Sequence, residues 1–486
     1  MLDNQRVHAE ITALKRSYKE EPYPALEKRK RWLRSIEKIL LDSEHKFIEA
    51  IGKDFGHRSE FETLSCELFP IYSALKHTRR NLSNWMKEKK RKTSPIFWFG
   101  SSSVLFQPIG VVAIISPWNY PLQLTLIPLI NAIAAGNRVL LKPSEKTYHF
   151  SLLLKEIFDE RFDKSVARVI CGDHTTAKHI AENEVVDHLF FTGSTEIGKE
   201  IARSAAENLT PTTLELGGKS PAYITQSANL TSAIRRVILG KIINAGQTCI
   251  APDYLMVDKK HQENFVEIFF DILEELYPKI LENSDYSAII NEKRLTHLIK
   301  LLEDARIKGG VIYIMSDGAI TKLDGQKSIK EIATNLYKSE RKIAPSLVLQ
   351  PNFQMGVLKE EIFGPILPVF FVGSDAEALS LVEANERPLA SYWFGYEKTA
   401  LEKWLRNLVV GGVTVNDCLL HCIQNDLPFG GISKSGRGAY HGFWGFENFS
   451  HRKAIFSQSR LSSMNLVSPP YTKLKYTLIR LLRFFS

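Results

Sequence analysis

Cysteine is scarce in this chain, with five thiols among 486 residues, at positions 66, 171, 249, 418 and 422. Their number is odd, their spacings are wide, and the start Met1-Leu2-Asp3-Asn4-Gln5-Arg6 is too polar for a secretory leader. These features argue against a disulfide framework and lead to the expectation of a reducing, cytoplasmic setting. His421 and Cys422 adjoin, but no second ligand pair stands at metal spacing, so no metal is expected. Long apolar runs are also missing. The most apolar region, Val104 to Leu141, is broken by Pro108, Pro117, Asn119, Pro121 and Pro128. A membrane span needs about 20 apolar residues; these breaks suit buried strands, turns and one core helix instead. The chain has no internal repeat and no low-complexity tract.

What is present is ordinary for a globular enzyme. The chain is 44% hydrophobic and 24% charged, and its length suits two or three domains with ample core. The net charge of +9 is spread along the chain rather than clustered in a nucleic-acid motif. It reads as a solvated basic surface, and no nucleic-acid partner is expected.

Residues 1 to about 90 read as helices, with Trp32, Ile36, Ile39 and Leu40 at helical spacing. The basic run Lys87 to Lys92 reads as a solvated helix end. Phe97, Trp98 and Phe99 then precede Gly100-Ser101-Ser102-Ser103. That suits either an exposed hairpin covered by a second subunit or a loop folded on its own core. From Gly110 strands alternate with helices: strands at 111–115, 138–141, 166–170 and 188–191, helices at 122–135 and from 147. A second alternating block runs from about 216 to 416, with strands at 254–257 and 369–372. The stretch Lys308 to Lys342 reads as surface loops. The alternation predicts an α/β fold with a doubly wound parallel sheet.

The chemistry centres on Cys249, in Asn244-Ala245-Gly246-Gln247-Thr248-Cys249, and on Glu215, in Leu214-Glu215-Leu216-Gly217-Gly218-Lys219. A small-residue loop delivering a thiol, with a carboxylate on another element, is a nucleophile and a base. In Ser116-Pro117-Trp118-Asn119-Tyr120-Pro121 the prolines fix a turn after a strand, and the Asn119 amide can steady an oxyanion. Phe191-Thr192-Gly193-Ser194-Thr195-Glu196-Ile197-Gly198 follows an apolar strand and opens a helix, where free N–H groups can meet a phosphate. It lacks the Gly-x-Gly-x-x-Gly spacing. Lys142-Pro143-Ser144-Glu145 ends another strand, where its side chains can bind ribose hydroxyls. In Glu360-Glu361-Ile362-Phe363-Gly364-Pro365, Glu361 offers a carboxylate and Phe363 a ring. Each run also has a plainer reading: a tight strand-to-helix turn, a solvated helix start, an Asx turn, a surface acidic pair.

Together and in this order, the runs resemble the aldehyde dehydrogenase superfamily over nearly the whole chain. Asn244 to Tyr254, Gly411 to Asp417, Pro428 to Ile432, Gly436 to Gly442 and Pro469-Pro470-Tyr471 resemble its class-three branch. Asp54 to Ser59 and the Trp118-Asn119-Tyr120 turn are similar to bacterial coniferyl-aldehyde dehydrogenases. The resemblance implies a Rossmann-like NAD(P)-binding domain (1–90 and 104–214) and an α/β catalytic domain (215–416). It also implies a small β arm for oligomerisation (91–103 and 417–460) in a homodimer, followed by a basic amphipathic tail (461–486). Cys249, Glu215 and Asn119 would be catalytic. Trp118, Lys142, Glu145, Thr192, Gly193, Ser194, Gly198, Glu361 and Phe363 would bind NAD or NADP. Tyr120 would wall a hydrophobic aldehyde pocket, to which Asp417 to Gln424 contributes. Cys418 and Cys422 depart from the branch's pattern. The tail places Leu474, Leu478, Leu481, Leu482 and Phe485 on one helical face; packing on the dimer is favoured over an anionic membrane. Two other functions compete: transfer of the acyl group to coenzyme A, against which an intact Glu215 argues, and a non-catalytic binding role, against which all three catalytic residues argue.

Overall fold

A computed structural model of the chain describes residues 4–484, apart from positions 95, 96, 98, 317, 324–335, 338, 339, 461, 463, 465 and 466. Trp98 of the expected aromatic hairpin and Phe485 of the tail lie outside the described residues.

The N-terminal helices form as their periodicity predicts. Leu26–Phe55 buries Trp32, Leu33, Ile36, Ile39, Leu40, Phe47, Ile51 and Phe55, a stripe at steps of three and four. It stops at Gly56, whose φ of 76° suits glycine. This helix packs on Tyr148–Arg161, Phe69–Trp85 and Gln123–Ala135.

Behind these helices lies a six-stranded sheet in the order Gly436–Arg437, Thr212–Leu216, His188–Gly193, Val111–Ile115, Arg138–Lys142, Ala167–Val169. The last five strands run parallel and Gly436–Arg437 pairs antiparallel at the edge. Val111–Ile115 and Arg138–Lys142 are buried at every position, as a sheet covered on both faces requires. Counted along the chain, the parallel order is 3-2-1-4-5, which reverses between Val111–Ile115 and His188–Gly193. Doubly wound sheets open a crevice at that switch point, beyond the carboxyl ends of the strands. Ser116 to Asn119 and Ser194 emerge there.

A second, eight-stranded sheet has the order Ala319–Leu323, Val311–Ser316, Ser346–Leu349, Ile366–Val372, Tyr254–Asp258, Pro221–Ile224, Ala390–Phe394, Gly412–Val415. Two of its strands correct the expectation of surface loops over Lys308 to Lys342. Val311–Ser316 and Ala319–Leu323 form a hairpin in which Ile312 pairs with Leu323. Ile312, Ile314 and Leu323 are buried, so a short apolar run outweighed the polar composition around it.

A third sheet joins Lys89–Arg91, Ser101–Pro108 and Ser450–Ser457, all antiparallel. Ser101–Pro108 runs across the boundary expected between residues 103 and 104. Glu215 likewise lies inside the strand Thr212–Leu216 rather than opening a new unit. Phe97 meets the Phe456 ring of its own chain edge-on at 5.9 Å, whereas Phe99 is exposed. In the tail, Lys473–Leu482 is a helix with no buried residue. No helix among the described residues is long and apolar enough to cross a membrane.

Candidate active site

Cys249 follows a backbone turn that L-residues avoid. After the helix Leu230–Ile242, three residues in a row are left-handed: Asn244 at φ 54°, Ala245 at 52° and Gly246 at 74°. Such positions persist only where the surroundings over-determine them, and here they do. The Asn244 N–H donates to Glu62 Oε1 at 2.9 Å, and Asn244 Nδ2 donates to the Asn119 carbonyl at 3.0 Å. Gln247 Nε2 donates to the carbonyls of Asn244 and Ala288, each at 3.0 Å, and Gln247 Oε1 accepts from the Ile290 N–H at 3.0 Å. A side chain on Gly246 would come 2.4 Å from the Gly364 carbonyl oxygen.

The same network fixes Asn119. Arg58 donates to the Asn119 carbonyl at 2.7 Å and pairs with Glu67 at 3.4 Å, both side chains being fully buried. Glu67 Oε2 accepts from the N–H groups of Leu122 and Gln123 at 2.7 and 3.2 Å. Glu62 Oε2 accepts from Ser287 at 2.6 Å. Sequence reasoning assigned no role to Arg58, Glu62, Glu67, Asn244 or Gln247. Nothing in the mixed run Glu60 to Leu68 marks Glu62 and Glu67 as buried, although buried carboxylates need partners.

Two cavities meet at the thiol. One, of about 580 Å³, is lined by Asn119, Cys249 and Glu215 and by Trp118, Thr192, Gly193, Ser194, Glu361 and Phe363. Nine of the residues singled out from the sequence thus share one cavity. The other, of about 210 Å³, is lined mostly by apolar side chains, including Tyr120. Cys249, Glu215, Thr192, Leu124 and Leu216 belong to both walls. The Tyr120 hydroxyl lies 2.6 Å from that of Thr248, the residue before Cys249.

Lys142, Glu145 and Gly198 are placed differently. Glu145 lines a third cavity of about 610 Å³ with Pro143, Ser144 and Tyr148. The buried Lys142 pairs with it at 3.1 Å. Gly198 lies behind the wall, where a side chain would meet Leu216 Cδ2 at 2.5 Å. Its contribution is close packing of the helix Thr195–Ala206 on the strand that carries Glu215. Cys418 is buried in the core against Gly240, whereas Cys422 faces the smaller cavity.

Burial sets the electrostatics. Neither Glu215 oxygen has a hydrogen-bond partner among the described residues, and desolvation holds its carboxyl well above the usual range. Burial also pushes the Cys249 thiol far up, with Glu361, Cys422 and Glu215 acting in the same direction. Glu361 is raised to about 8, chiefly by burial and then by Asp253, against the Gly218 N–H, Lys219 and Arg294. Burial thus shifts both Glu215 and Cys249 toward their neutral forms.

The larger cavity suits a sugar- and phosphate-bearing cofactor. Ser194 caps the helix Thr195–Ala206 without a side-chain bond to it, so free helix N–H groups start at the cavity wall. Glu361 Oε1 and Thr192 Oγ1 are buried without hydrogen-bond partners among the described residues. Phe363, at φ 48°, meets the Trp118 ring edge-on at 5.4 Å, and together they make an aromatic wall.

Comparison with known proteins agrees with this architecture. The model of the aldehyde dehydrogenase family matches residues 2–455. The probable coniferyl aldehyde dehydrogenase of Pseudomonas aeruginosa is 40% identical over 457 residues, covering 94% of this chain and 92% of that one. The coniferyl aldehyde dehydrogenase of a Pseudomonas species is 37% identical over 479 residues, covering 98% and 96%. Among solved structures, the substrate-bound state of Staphylococcus aureus AldH superposes with a TM-score of 0.89 at 33% identity, covering all of both chains. The chain belongs to the aldehyde dehydrogenase family, whose members are nicotinamide-dependent oxidoreductases acting on aldehydes.

Proposed function

We propose that this enzyme oxidises a hydrophobic aldehyde to the carboxylic acid, using NAD or NADP. The substrate is aromatic, such as coniferyl aldehyde, or a medium- to long-chain aliphatic aldehyde. The observation that carries the reading is the position of Cys249 and Glu215 on the wall common to both cavities. An aldehyde in the apolar cavity meets the thiol on one side and the polar cavity on the other.

The Cys249 thiol gives its proton to water and the sulfur adds to the carbonyl carbon. Asn119 Nδ2 and the Cys249 N–H hold the resulting oxyanion. A bound nicotinamide supplies the hydride acceptor. Collapse of the oxyanion leaves a thioester on Cys249. Glu215, in its carboxylate form and with its oxygens free of other bonds, then takes a proton from water as that water attacks the thioester carbon. The C–S bond breaks and the acid departs. The apolar wall around Tyr120 selects the substrate; the Lys142–Glu145 pair offers an acceptor to a ribose 2′-hydroxyl and repels a 2′-phosphate. The similarity to coniferyl aldehyde dehydrogenases supports the aromatic substrate. The test is turnover of coniferyl aldehyde, benzaldehyde and decanal by the unaltered chain and by Cys249→Ala.

The chain acts as a homodimer in this reading. The edge strand Ser450–Ser457 is largely exposed along its eight residues, and an uncovered edge of that length invites pairing. Sedimentation of the purified protein tests it.

A further inference from the structure

Cysteine is rare in this chain, yet three of its five thiols, Cys66, Cys249 and Cys422, line the cavity of about 210 Å³. The aldehyde chemistry above uses only Cys249, and in the sequence Cys422 departs from the class-three pattern. A second thiol facing the same void as a nucleophilic one has chemistry of its own, because the two sulfurs can join.

The fold ties the two thiol-bearing loops to one side chain. Tyr392 is buried in the strand Ala390–Phe394. Its hydroxyl donates to the carbonyl of Ile250, the residue after Cys249. Its ring centre lies 6.3 Å from that of His421, the residue before Cys422. Electrostatics agrees with this proximity. Burial pushes the Cys249 thiol up, Glu361 adds to the push, and Cys422 comes next.

The other thiols are placed less well. Cys66 sits within the π-helical turn Leu64–Leu68, with Ser65 Oγ 3.6 Å from its sulfur. Cys418 is buried in the core against Gly240. Cys422 instead belongs to the single 3₁₀ turn Leu420–Ile423. His421 pins that turn to Thr414 Oγ1 through its ring and its N–H, at 2.8 and 3.2 Å. Leu420 and Ile423 are 43% and 40% exposed, so the turn is packed on one face only and can yield toward Cys249. Cys249 and Cys422 are both partly accessible. Cys249 also borders the larger cavity, which admits a small polar oxidant.

We propose that Cys422 is a resolving thiol: when a peroxide oxidises Cys249, Cys422 closes a disulfide with it, which switches the enzyme off reversibly and spares the nucleophile from irreversible oxidation. The Cys249 thiol gives its proton to water and its sulfur attacks one peroxide oxygen. The O–O bond breaks, a sulfenic acid forms, and the released hydroxide regains a proton to become water. The Cys422 thiol then loses its proton and its sulfur attacks the Cys249 sulfur. The S–O bond breaks, and the departing hydroxide leaves with that proton as water. Two thiols and one hydrogen peroxide thus give one disulfide and two waters. Without Cys422 the sulfenic acid stays open to a second peroxide, which makes a sulfinic acid that thiols do not reverse. A dithiol reduces the disulfide and returns both cysteines.

The experiment exposes the purified full-length protein, free of cofactor, to hydrogen peroxide. Remaining thiols are blocked with N-ethylmaleimide, and the unreduced peptides are mapped by mass spectrometry. The expected product is a peptide pair joined through Cys249 and Cys422. In parallel samples treated with dithiothreitol instead, the unaltered protein and Cys418→Ala regain most of the activity each had before oxidation. Cys422→Ser regains at least about tenfold less, with Cys249 found as the sulfinic acid. Each recovery is scaled to the starting activity of the same protein, so an effect of the substitution on basal turnover cancels. A bond from Cys249 to Cys66 or to a second chain overturns the proposal. So does sulfinic acid alone at Cys249 of the unaltered protein, or equal recovery with and without Cys422. The peptide map needs no turnover, so it decides the proposal even where the aldehyde-oxidation reading fails.

Discussion

The Asn119 side-chain amide donates to the carbonyl of Gln247 at 3.1 Å, two residues before Cys249. A primary amide carries two donor hydrogens, so one can tie the strand-end turn to the nucleophile loop while the other faces the reacting oxygen. Asn119 thus couples its own turn to the Cys249 loop, 130 residues further along the chain (249 − 119).

Asn119→Ala removes both functions. The expected loss in kcat is about 10²–10³, the range for deleting one oxyanion donor. Steady-state kinetics measures it; a loss confined to KM would show that Asn119 only helps to bind.

Glu215→Gln separates the two half-reactions. Without a base to activate water the thioester persists, so a burst of reduced cofactor precedes a kcat lowered by about 10²–10⁴. Intact-protein mass spectrometry during turnover should show Cys249 carrying the acyl group. Full turnover without acyl-enzyme would remove Glu215 from hydrolysis.

Gly246→Ala attacks the loop itself. The substitution puts a β-carbon at a φ of 74° and 2.4 Å from the Gly364 carbonyl oxygen. Backbone strain of this kind costs about 1–3 kcal/mol. We expect a lower thermal midpoint together with a disproportionate loss of turnover, because the displaced segment carries Cys249.

The main fold was legible in the sequence because its strands are continuous apolar runs. Val111 to Ile115 and Val139 to Leu141 are such runs, buried on both faces, and their shortness and the flanking glycines and prolines favour strands. The hairpin at Val311–Ser316 and Ala319–Leu323 was not legible, because its apolar residues are few and its neighbourhood is polar. At the site, Cys249, Glu215 and Asn119 stood out through their flanking glycines and prolines. Arg58, Glu62 and Glu67 did not: their importance lies in ion pairs and backbone contacts between elements far apart in sequence, such as Glu62 with Asn244.

Glu361 gives the stability a pH signature. Its carboxyl is raised from 4.5 to about 8 in the folded protein. The folded state therefore holds this proton more tightly than the unfolded chain does. Its contribution to stability is full below about pH 4.5 and is lost as pH rises through about 8. Glu361→Gln cannot ionise, so its thermal midpoint should gain on that of the unaltered protein as pH increases from 5 to 8. A constant difference across that window would mean that Glu361 titrates normally.

Glu145→Ala tests the cofactor reading. Removing the carboxylate beside Lys142 frees its ammonium for a phosphate, so the ratio of kcat/KM for NADP to that for NAD should rise by about tenfold or more, equivalent to about 1.4 kcal/mol. An unchanged ratio would place the selection elsewhere.

The most direct test of the account is the formation of reduced nicotinamide by the purified protein from coniferyl aldehyde, with Cys249→Ala beside it. The account predicts cofactor reduction with release of the carboxylic acid, and none of either with the variant. Equal reduction by the variant, or no reduction with NAD or NADP by the unaltered protein, would contradict it.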